Sequence, residues 1–475
     1  MRYTAIALDF DGTIAHDSDV PAHVVDGLKR LKESGRKLIL DTGRELPELL
    51  AIFPAIALFD RVVAENGALL YRPESGEKKE LGEPPPPALV ELLRSRGVPV
   101  SVGDSIIATV EPHEAVVLEA IRELGLERPV IFNKGAVMIL PPGVNKASGL
   151  LVALHELGLS PRNLVAAGDA ENDHALLDMA EYSVAVANAI PTLKAVADRV
   201  TREKRGDGVL EVVADLIEHD LANAPPARER RRLAIGKDAS GAEVAMRASG
   251  SSALVAGRAK TGKSALVRGM LETLCTAGYQ FCVVDGRGEY LDFEPAVVFG
   301  TPDHRPDALE IFTALEKPGV HAVVCLAAVP ARERPAFFDE FLLGLRALRE
   351  KTGRPHWLVV DEAQELVPRT ELEREEAPAQ NTIYVSSDPG QVAQTILAHV
   401  DAVIACGADA KNAMDAFAAA LHAKAPADPA ADPGEAEALV WFHRVESTPR
   451  LVAFTHGITK KRAIRADVGR LLRRA

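Results

Sequence analysis

Cysteine, aromatic residues and long apolar runs are all scarce in this chain. Its 475 residues include 4 cysteines, and aromatic side chains make up 5% of the total. The cysteines lack metal-ligand spacing, which argues against a zinc site and favours buried free thiols in a reducing compartment; they are Cys275, Cys282, Cys325 and Cys406. No run approaches the roughly 20 apolar residues that span a bilayer, and no leader precedes the first apolar run. We therefore expect a cytoplasmic protein without a membrane partner.

Positive charge is also in deficit. The chain carries 55 Lys and Arg against 68 Asp and Glu, a formal net charge of −13. This balance argues against a broad nucleic-acid-binding surface, although a local basic groove is compatible with it. Small anionic ligands and protein partners are better suited to such a surface. With 47% hydrophobic residues, the chain is long enough for two cores.

Short apolar runs alternate with helical patterns, which predicts α/β domains with parallel sheets. The apolar runs are 4–8, 37–40, 164–167, 253–255, 281–284, 322–326 and 357–360. Pro225 and Pro226 precede a basic run, so we place a linker at 221–232 between domains at 1–220 and 233–475. A stretch at about 83–142 resembles an inserted subdomain, and the loops 370–380 and 424–437 are predicted to be mobile.

Two carboxylates follow the first apolar run. Asp9 and Asp11 are two residues apart, at the end of a predicted strand, where ligands bind in open α/β sheets. One carboxylate can attack phosphorus while the other exchanges a proton with the leaving group. Because the two groups repel each other and an anionic substrate, the pair predicts a Mg²⁺ ion.

Three later segments supply further phosphate chemistry. Thr42 offers a hydroxyl and Lys146 a cation, and the segment 168–173 contains Asp169 and Asp173 as metal ligands. Taken singly, each segment also fits a plain turn or helix cap. Their combination and order predict one site.

Together these segments resemble the haloacid dehalogenase superfamily of phosphatases, in the Cof-type branch with a large α/β cap. The resemblance covers about residues 1–220 and includes 65–68 and 145–150, which bracket the cap. It implies a Rossmann-like core and a role for each residue. By this resemblance, Asp9 would form an aspartyl-phosphate and Asp11 would act as general acid/base. Thr42 would donate to phosphate, and Lys146 would steady the phosphate and the nucleophile. Asp169 and Asp173 would hold Mg²⁺ with Asp9 and the Asp11 carbonyl, and Asn172 would support the loop.

The substrate is expected to be a small phosphorylated metabolite, such as a sugar phosphate or phosphoglycolate. Lys134 and His113, within the cap, are possible contacts, and Arg44 beside Thr42 could clamp a second polar group. A simpler interpretation remains open for each of these three residues. Lys134 also fits a surface lysine, His113 a helix cap and Arg44 a salt bridge.

A second phosphate motif lies past the middle of the chain. Gly257 and Gly262 open a glycine-containing loop that ends in Lys263 and Ser264, between an apolar run and a helical pattern. Backbone N–H groups of such a loop cradle phosphates, the lysine reaches the β and γ positions of ATP, and the serine binds Mg²⁺. The motif predicts a nucleotide site in a P-loop NTPase domain with a parallel sheet.

An apolar run ending in two acids supports this prediction. Asp361 can hold Mg²⁺ through water, and Glu362 can orient or deprotonate the attacking water, which favours ATP hydrolysis over transfer to another acceptor. A buried strand that merely ends in acidic residues is the plainer reading.

Residues 284–290 add a resemblance to the FtsK/HerA-like ATPases, which covers about 233–475. It implies ATP as ligand, a homo-oligomer such as a hexameric ring, and DNA as a partner. Ser387 and Asp388 stand where this group has Gln and Arg, so the γ-phosphate sensor departs from the pattern. Arg444 and Arg450 are possible arginine fingers, or else ordinary exposed arginines.

Three functions follow from the two motifs. The first is a Mg²⁺-dependent phosphatase fused to an ATPase. The second is a nucleic-acid end-processing phosphatase and kinase, which a large cap and Glu362 argue against. The third gives the C-terminal half the role of a nucleotide-dependent scaffold or a DNA translocase-like module.

Overall fold

The computed structural model describes residues 1–224, 231–369 and 380–454. The chain forms two compact units, Met1–Arg228 and Glu229–Ala475. Both units are mixed α/β structures. Residues 225–230 of the predicted linker lie outside the described residues, as does the predicted mobile loop 370–380 apart from Gln380.

The first unit alternates strands and helices along the chain. Its strands are β1 (Ala5–Leu8), β2 (Lys37–Asp41), β3 (Arg61–Ala64), β4 (Leu69–Arg72), β5 (Glu77–Glu80), β6 (Ser101–Val102), β7 (Ile107–Val110), β8 (Val130–Asn133), β9 (Ala136–Ile139), β10 (Leu164–Gly168), β11 (Tyr182–Ala185) and β12 (Arg199–Val200). Its helices are α1 (Ala22–Glu33), α2 (Leu46–Ile52), α3 (Pro87–Ser95), α4 (Glu114–Glu123), α5 (Lys146–Glu156), α6 (His174–Met179), α7 (Pro191–Val196) and α8 (Arg205–His219).

Eight of these strands form the main sheet, in the order β12-β11-β10-β1-β2-β3-β4-β5. The strands from β12 to β3 are parallel, whereas β4 and β5 pair antiparallel. Every position of β1 and β10 is buried, as expected for central parallel strands whose two faces are both covered. The apolar core of the unit therefore surrounds the strands that carry the first motif.

The remaining four strands form a separate antiparallel sheet, in the order β6-β7-β9-β8. Helices α3 and α4 pack on it through an apolar cluster that includes Leu93, Val117 and Ile107. This cap lies between β5 and α5 in the chain. His113 is at the N-cap position of α4, but its side chain makes no capping hydrogen bond.

The second unit contains the remaining elements of the described chain. Its strands are β13 (Arg232–Asp238), β14 (Glu243–Arg247), β15 (Ala253–Ala256), β16 (Phe281–Asp285), β17 (Ala296–Phe299), β18 (His321–Cys325), β19 (Trp357–Val360), β20 (Thr382–Ser386), β21 (Ala402–Cys406), β22 (Glu437–Trp441) and β23 (Arg450–Ala453). Its helices are α9 (Lys263–Thr276), α10 (Ala308–Leu315), α11 (Arg334–Thr352), α12 (Ala363–Leu366), α13 (Gln394–Leu397) and α14 (Ala410–Ala420).

Seven parallel strands form the centre of its sheet, in the order β21-β15-β20-β19-β16-β18-β17. The antiparallel strands β22, β23, β13 and β14 extend it beyond β21. Alternate residues of β15 enter two different apolar clusters, with Leu254 packing on one face and Val255 on the other. Helix α9 covers the second face and α11 the first, so both faces are buried.

The fold bears on two expectations, the absence of a membrane-spanning helix and the burial of the cysteines. Among the helices of the described residues, none is long and apolar enough to cross a membrane. Cys282, Cys325 and Cys406 are buried free thiols, but Cys275 is only partly buried. The prediction of burial is wrong for Cys275, which lies near the C-terminal end of α9. Its sulfur is 3.5 Å from Nε2 of His321.

Candidate functional sites

The carboxyl ends of β1, β2 and β10 bring the first motif together. Leu8 is in register with Leu40 on one side and with Ala167 on the other. The residues that follow these strands therefore meet at one edge of the sheet. They include Asp9, Thr42 and Asp169, which the sequence places far apart.

A buried lysine joins two of the acids. Nζ of Lys146 donates to Oδ1 of Asp9 and to Oδ1 of Asp173, each at 2.6 Å. The other oxygen of Asp173 accepts from the backbone N–H groups of Asp169 and Ala170, at 2.8 and 2.9 Å. Lys146 is the first residue of α5, which begins with a capping box between Asn145 and Ser148. Packing and capping thus fix the ammonium between the two carboxylates.

Burial decides the electrostatics of this network. Desolvation, reinforced by the charge of Asp173 and opposed by Lys146, raises the pKa of Asp9 to about 7. Burial alone would lower the pKa of Lys146, but the charges of Asp173 and Asp9 outweigh it and raise the pKa. The lysine stays protonated at neutral pH, and its charge favours the ionised form of Asp9.

The same acids offer a cation site. Asp9, Asp169 and Asp173 each present an oxygen within 4.8 Å of the others. The ammonium of Lys134 lies 2.9 Å from Oδ2 of Asp169 and 2.7 Å from the carbonyl oxygen of Asp11. A cation is thus already held by two of the groups predicted to bind Mg²⁺. These hard oxygen donors fit that ion.

The side chain of Asp11 contacts Arg44, whereas its carbonyl oxygen contacts Lys134. Arg44 donates from Nε and Nη2 to the two carboxylate oxygens of Asp11, both at 2.7 Å, a bidentate ion pair. Arg44 also pairs with Glu48, and its pKa is raised chiefly by the hydrogen bond to Asp11. Of the readings open for Arg44, the structure therefore shows the salt bridge.

Thr42 and the loop residues lie beneath the cap. Thr42 is buried, and its hydroxyl oxygen accepts from the N–H of Arg44 at 3.1 Å. Asn172 donates to Oδ1 of Asn66 at 2.8 Å, which links two of the loops at this edge. The carboxylate of Glu65 accepts from the N–H groups of 104, 105 and 106, and so joins the main sheet to the cap.

Sequence reasoning missed three residues at this site. Asp41 is fully buried next to Thr42, and neither of its oxygens has a hydrogen-bond partner among the described residues. Burial raises its pKa well above the usual range. Asn188 donates to the carbonyl oxygen of Gly12 and to Asp169. Asn188 and Arg205 line the same pocket. An acid next to Thr42 was a usable signal for Asp41, but Asn188 and Arg205 lie in no motif.

The second motif forms the turn between β15 and α9. Gly257 and Gly262 have φ values of 147° and 94°, and Lys260 has a φ of 64°. A Cβ at Gly257 would lie 2.6 Å from the carbonyl oxygen of Cys406. The tight approach of the loop to the end of β21 therefore requires glycine at this position.

The polar residues of this loop bond within the unit. Nζ of Lys263 donates to the carbonyl oxygen of Arg258 at 2.9 Å. The hydroxyl of Ser264 donates to the carboxylate of Glu289, which follows β16. Arg258 pairs with Asp409 at 3.0 Å. The loop is thus closed on its own carbonyl and on nearby acids.

Asp361 and Glu362 follow β19 at the same edge of the sheet. Asp361 is buried, and desolvation together with the nearby acids Asp285 and Glu289 raises its pKa well above the usual range. Glu362 has a φ of 53° and pairs with Arg287 at 3.1 Å. Glu289 links Asp361 to the loop, because it contacts Ser264 and its charge helps to raise the pKa of Asp361.

Gln364 connects Glu362 to the segment 386–388, which departs from the pattern of the FtsK/HerA-like ATPases. Gln364 donates to the carboxylate of Glu362, and its Oε1 accepts from the hydroxyl of Ser386 at 2.8 Å and from the N–H of Ser387 at 3.3 Å. The side-chain amide of Gln364, on α12, therefore lies against the backbone of Ser387. Sequence reasoning missed this residue, although it lies two positions after Glu362.

The two arginine-finger candidates have partners within the unit. Arg444 donates to the carbonyl oxygen of Ala398 and lies 3.4 Å from Asp401. Arg450 pairs with Glu446. Both side chains remain about half exposed, which agrees with the plainer reading of ordinary surface arginines.

Comparison with known proteins identifies the first unit. The family model for haloacid dehalogenase-like hydrolases matches residues 6–101 and 104–213. The phosphoglycolate phosphatase of Methanothermobacter thermautotrophicus is 32% identical over 217 residues, which cover 44% of this chain and 96% of that protein. The phosphoglycolate phosphatase of Haloarcula marismortui is 34% identical over 219 residues, which cover 44% of this chain and 95% of that protein. Through its N-terminal part, the chain belongs to the haloacid dehalogenase-like hydrolase family.

Proposed function

We propose that the first unit hydrolyses phosphate monoesters by way of an aspartyl-phosphate on Asp9. The observation that carries the proposal is the buried ammonium of Lys146, held between Asp9 and Asp173 at 2.6 Å from each. A carboxylate that is buried, ionisable near neutral pH and fixed by a cation is suited to nucleophilic attack.

The residues divide the reaction between them. An oxygen of Asp9 forms the bond to phosphorus while the bond to the ester oxygen breaks, and Asp11 gives that oxygen its proton. Water then attacks the phosphorus of the aspartyl-phosphate and loses a proton to Asp11, which regenerates Asp9 and releases phosphate. Arg44 must release one oxygen of Asp11 during this exchange, and Glu48 is its second partner.

A Mg²⁺ ion fits beside the nucleophile. Asp9, Asp169, Asp173 and the carbonyl oxygen of Asp11 would hold it. When bound, the ion supplies positive charge that draws an anionic phosphate towards an anionic carboxylate. Thr42, at the end of β2, would donate its hydroxyl hydrogen to a phosphate oxygen.

The substrate class follows from the size and charge of the pocket. A cavity of about 500 Å³ opens beside Asp11 and Gly12 and is lined by Arg44, Lys134 and Arg205. A small, strongly anionic ester suits this volume and these cations. Phosphoglycolate is the first candidate, since two relatives carry that name, and sugar phosphates are the second.

A panel of phosphate esters assayed with Mg²⁺ tests the proposal. We expect release of phosphate from at least one small ester, and none from the Asp9→Asn variant. Asp26, an exposed residue on α1 that pairs with Lys29, provides the matched control as Asp26→Asn. A chain that binds Mg²⁺ but hydrolyses no ester in the panel would sink the proposal.

For the second unit we propose binding and hydrolysis of ATP. The supporting observation is that the loop after β15, the acids after β19 and the serines after β20 share one sheet edge, with β20 between β15 and β19. Lys263 and Ser264 would bind the phosphates and Mg²⁺, Asp361 would hold Mg²⁺ through water, and Glu362 would orient the attacking water.

Nucleotide binding and turnover, measured separately, test this second proposal. Glu362→Gln should retain ATP binding and lose hydrolysis by about 10²-fold or more. Repeating both assays with DNA, and measuring the size of the assembly, separates a translocase ring from a nucleotide-dependent scaffold. Transfer of labelled phosphate to a DNA or RNA 5′ end would favour the end-processing enzyme instead. Wild-type protein that binds no ATP would contradict the proposal.

A further inference from the structure

The pocket beside Asp11 contains three cationic side chains with different surroundings. Arg44, Lys134 and Arg205 all line the cavity of about 500 Å³. The nucleophile Asp9 is not among the lining residues, and it is nearly fully buried. The cavity is also lined by Asp11 and Asp169, so it extends from the proposed catalytic groups into the space where the remainder of a substrate would lie.

Two of the cations are already neutralised by the protein. Arg44 holds both oxygens of Asp11 at 2.7 Å and pairs with Glu48 as well. Lys134 contacts both oxygens of Asp169, at 3.1 and 2.9 Å. Neither cation is free to take a second anion without giving up an internal one.

Arg205 is different. Among the described residues, its guanidinium has no ion pair and no hydrogen bond, although the side chain is half-buried in the pocket wall. Arginine has five N–H donors in a planar arrangement that matches a carboxylate with two parallel hydrogen bonds. A half-buried guanidinium without a partner is a binding group that the fold leaves unused.

The backbone fixes Arg205 relative to the catalytic loop. Its φ is 52°, which is uncommon for a residue with a side chain. Its N–H donates to Oδ1 of Asn188 at 2.8 Å, and Nδ2 of Asn188 donates to the carbonyl oxygen of Gly12 at 2.8 Å and to Asp169 at 3.2 Å. A single amide thus ties the start of α8 to the loop that carries the nucleophile.

The next residue locks the same position from the other side. A Cβ at Gly206 would lie 2.5 Å from a methyl carbon of Val24 on α1. The first turn of α8 is thus packed closely against α1 at this position. Arg205 is held in an unfavourable backbone conformation by contacts on both sides, a pattern that is typical of functional positions.

We propose that Arg205 binds a carboxylate of the substrate, a second anionic group distinct from the phosphate that is transferred. This inference rests on the proposed phosphatase function and names its substrate class as small phosphorylated carboxylic acids. Arg205 is then a specificity-determining residue, since it contributes affinity only for esters that carry the second anion. Asn188 is a positioning residue that acts through the backbone of Arg205.

Two esters that differ in the carboxylate test the proposal on the full chain with Mg²⁺. Phosphoglycolate carries the group, and ethyl phosphate has a methyl group in its place. Arg205→Met should raise KM for phosphoglycolate about tenfold to hundredfold with little change in kcat. For ethyl phosphate, kcat/KM should fall by no more than about threefold. Arg205→Lys should recover most of the loss, because it keeps the charge.

A control and a binding measurement complete the experiment. Arg94→Met removes one exposed positive charge from α3 in the cap and should alter neither ester's kinetics. Calorimetric binding of phosphoglycolate to Asp9→Asn protein, with and without Arg205→Met, reads the same interaction in the absence of turnover. We expect the additional substitution to weaken binding by the same factor.

Each other outcome has a definite meaning. Equal losses for both esters would show that Arg205 serves the transferred phosphate, and no loss for either would show a structural role; both overturn the inference. Wild-type protein that hydrolyses ethyl phosphate in preference to phosphoglycolate would overturn it as well. Wild-type protein that hydrolyses neither ester would contradict the proposed function, while the binding measurement would still decide on Arg205.

Discussion

The two candidate sites use a lysine in opposite ways. Lys146 is 1% exposed and contacts Asp9, which is 137 residues away in the chain. Lys263, the first residue of α9, is only partly buried and contacts the carbonyl oxygen of Arg258, which is five residues away. The first lysine is therefore positioned by tertiary structure and held by buried charges, whereas the second is held within its own loop.

This difference has an energetic consequence. Buried charges in the first site attract strongly but must be paired, so the loss of one partner leaves an uncompensated charge. The solvated loop of the second site carries its charges at little cost, and its affinity must come from the ligand it closes on. Variants of the first site should therefore affect both stability and activity, and variants of the second chiefly affect ligand binding.

The largest expected effect separates the two sites completely. Asp9→Asn removes the proposed nucleophile, and ester hydrolysis should fall by about 10⁴-fold or more. ATP hydrolysis by the same preparation should stay unchanged, because Asp9 and the second motif belong to different units. Parallel phosphate-release assays with an ester and with ATP measure both activities. A loss of both activities in this variant would show that the sites are coupled.

The reverse substitution is expected to have the next largest effect. Lys263→Ala removes the cation proposed to reach the β- and γ-phosphates of ATP, and ATP hydrolysis should fall by about 10²-fold to 10³-fold with ester hydrolysis intact. Lys260→Ala is the matched control, since Lys260 is an exposed lysine of the same loop. An equal loss in both variants would mean that general charge, and not the position of Lys263, is responsible.

A smaller effect is expected at the boundary between cap and nucleophile loop. Lys134 holds oxygens of Asp169 and Asp11 that would bind Mg²⁺, so the ion must displace an ammonium. Lys134→Met should therefore bind Mg²⁺ about tenfold more tightly than wild type, as measured by calorimetry. Arg94→Met is the control for charge alone. Unchanged affinity in Lys134→Met would show that the lysine and the ion do not compete.

The smallest effect concerns stability and pH. The pKa of Asp9 is raised by burial to about 7, above its ordinary value of 3.8. The folded chain therefore binds more protons than the unfolded chain between these values, and its stability falls as the pH rises through this range. Asp9→Asn should remove that loss and so stabilise the metal-free first unit more at pH 8 than at pH 5.

Hydrogen exchange of peptides from β1 and β10, corrected for the intrinsic rate at each pH, measures this difference. Asp26→Asn, on the surface of α1, should show no such dependence on pH. If Asp9→Asn stabilises the strands equally at both pH values, the carboxyl group of Asp9 ionises normally.

Much of the first site was predictable because its candidate residues lie in short sequence motifs. Asp9 and Asp11 follow an apolar run, and Asp169 and Asp173 follow another, so their position at a strand end could be inferred from pattern alone. The family match over 6–213 confirms the predicted haloacid dehalogenase-like unit. The individual residue roles and the ATPase in the second unit stay predictions.

Other features were not predictable from local pattern. Arg205 and Asn188 belong to no motif, and they reach the pocket only because the sheet order places β11 beside β10 and β12 beside β11. The bond from Gln364 to Ser386 depends on the pairing of β19 with β20 across 22 residues. Such contacts depend on which strands become neighbours, and residue spacing does not encode that choice directly.

The sequence by itself determined the types of chemistry: an Asp-based phosphate site, a glycine-rich loop and two α/β units. These follow from local patterns, since an apolar strand that ends in acids, or a loop with glycines at fixed intervals, has few alternative structures. Only the tertiary structure decided which charges are paired. Burial and strand register place Lys146 between two acids and, within the described part of the chain, leave Arg205 without one, because desolvation makes the energy of each charge depend on its neighbours.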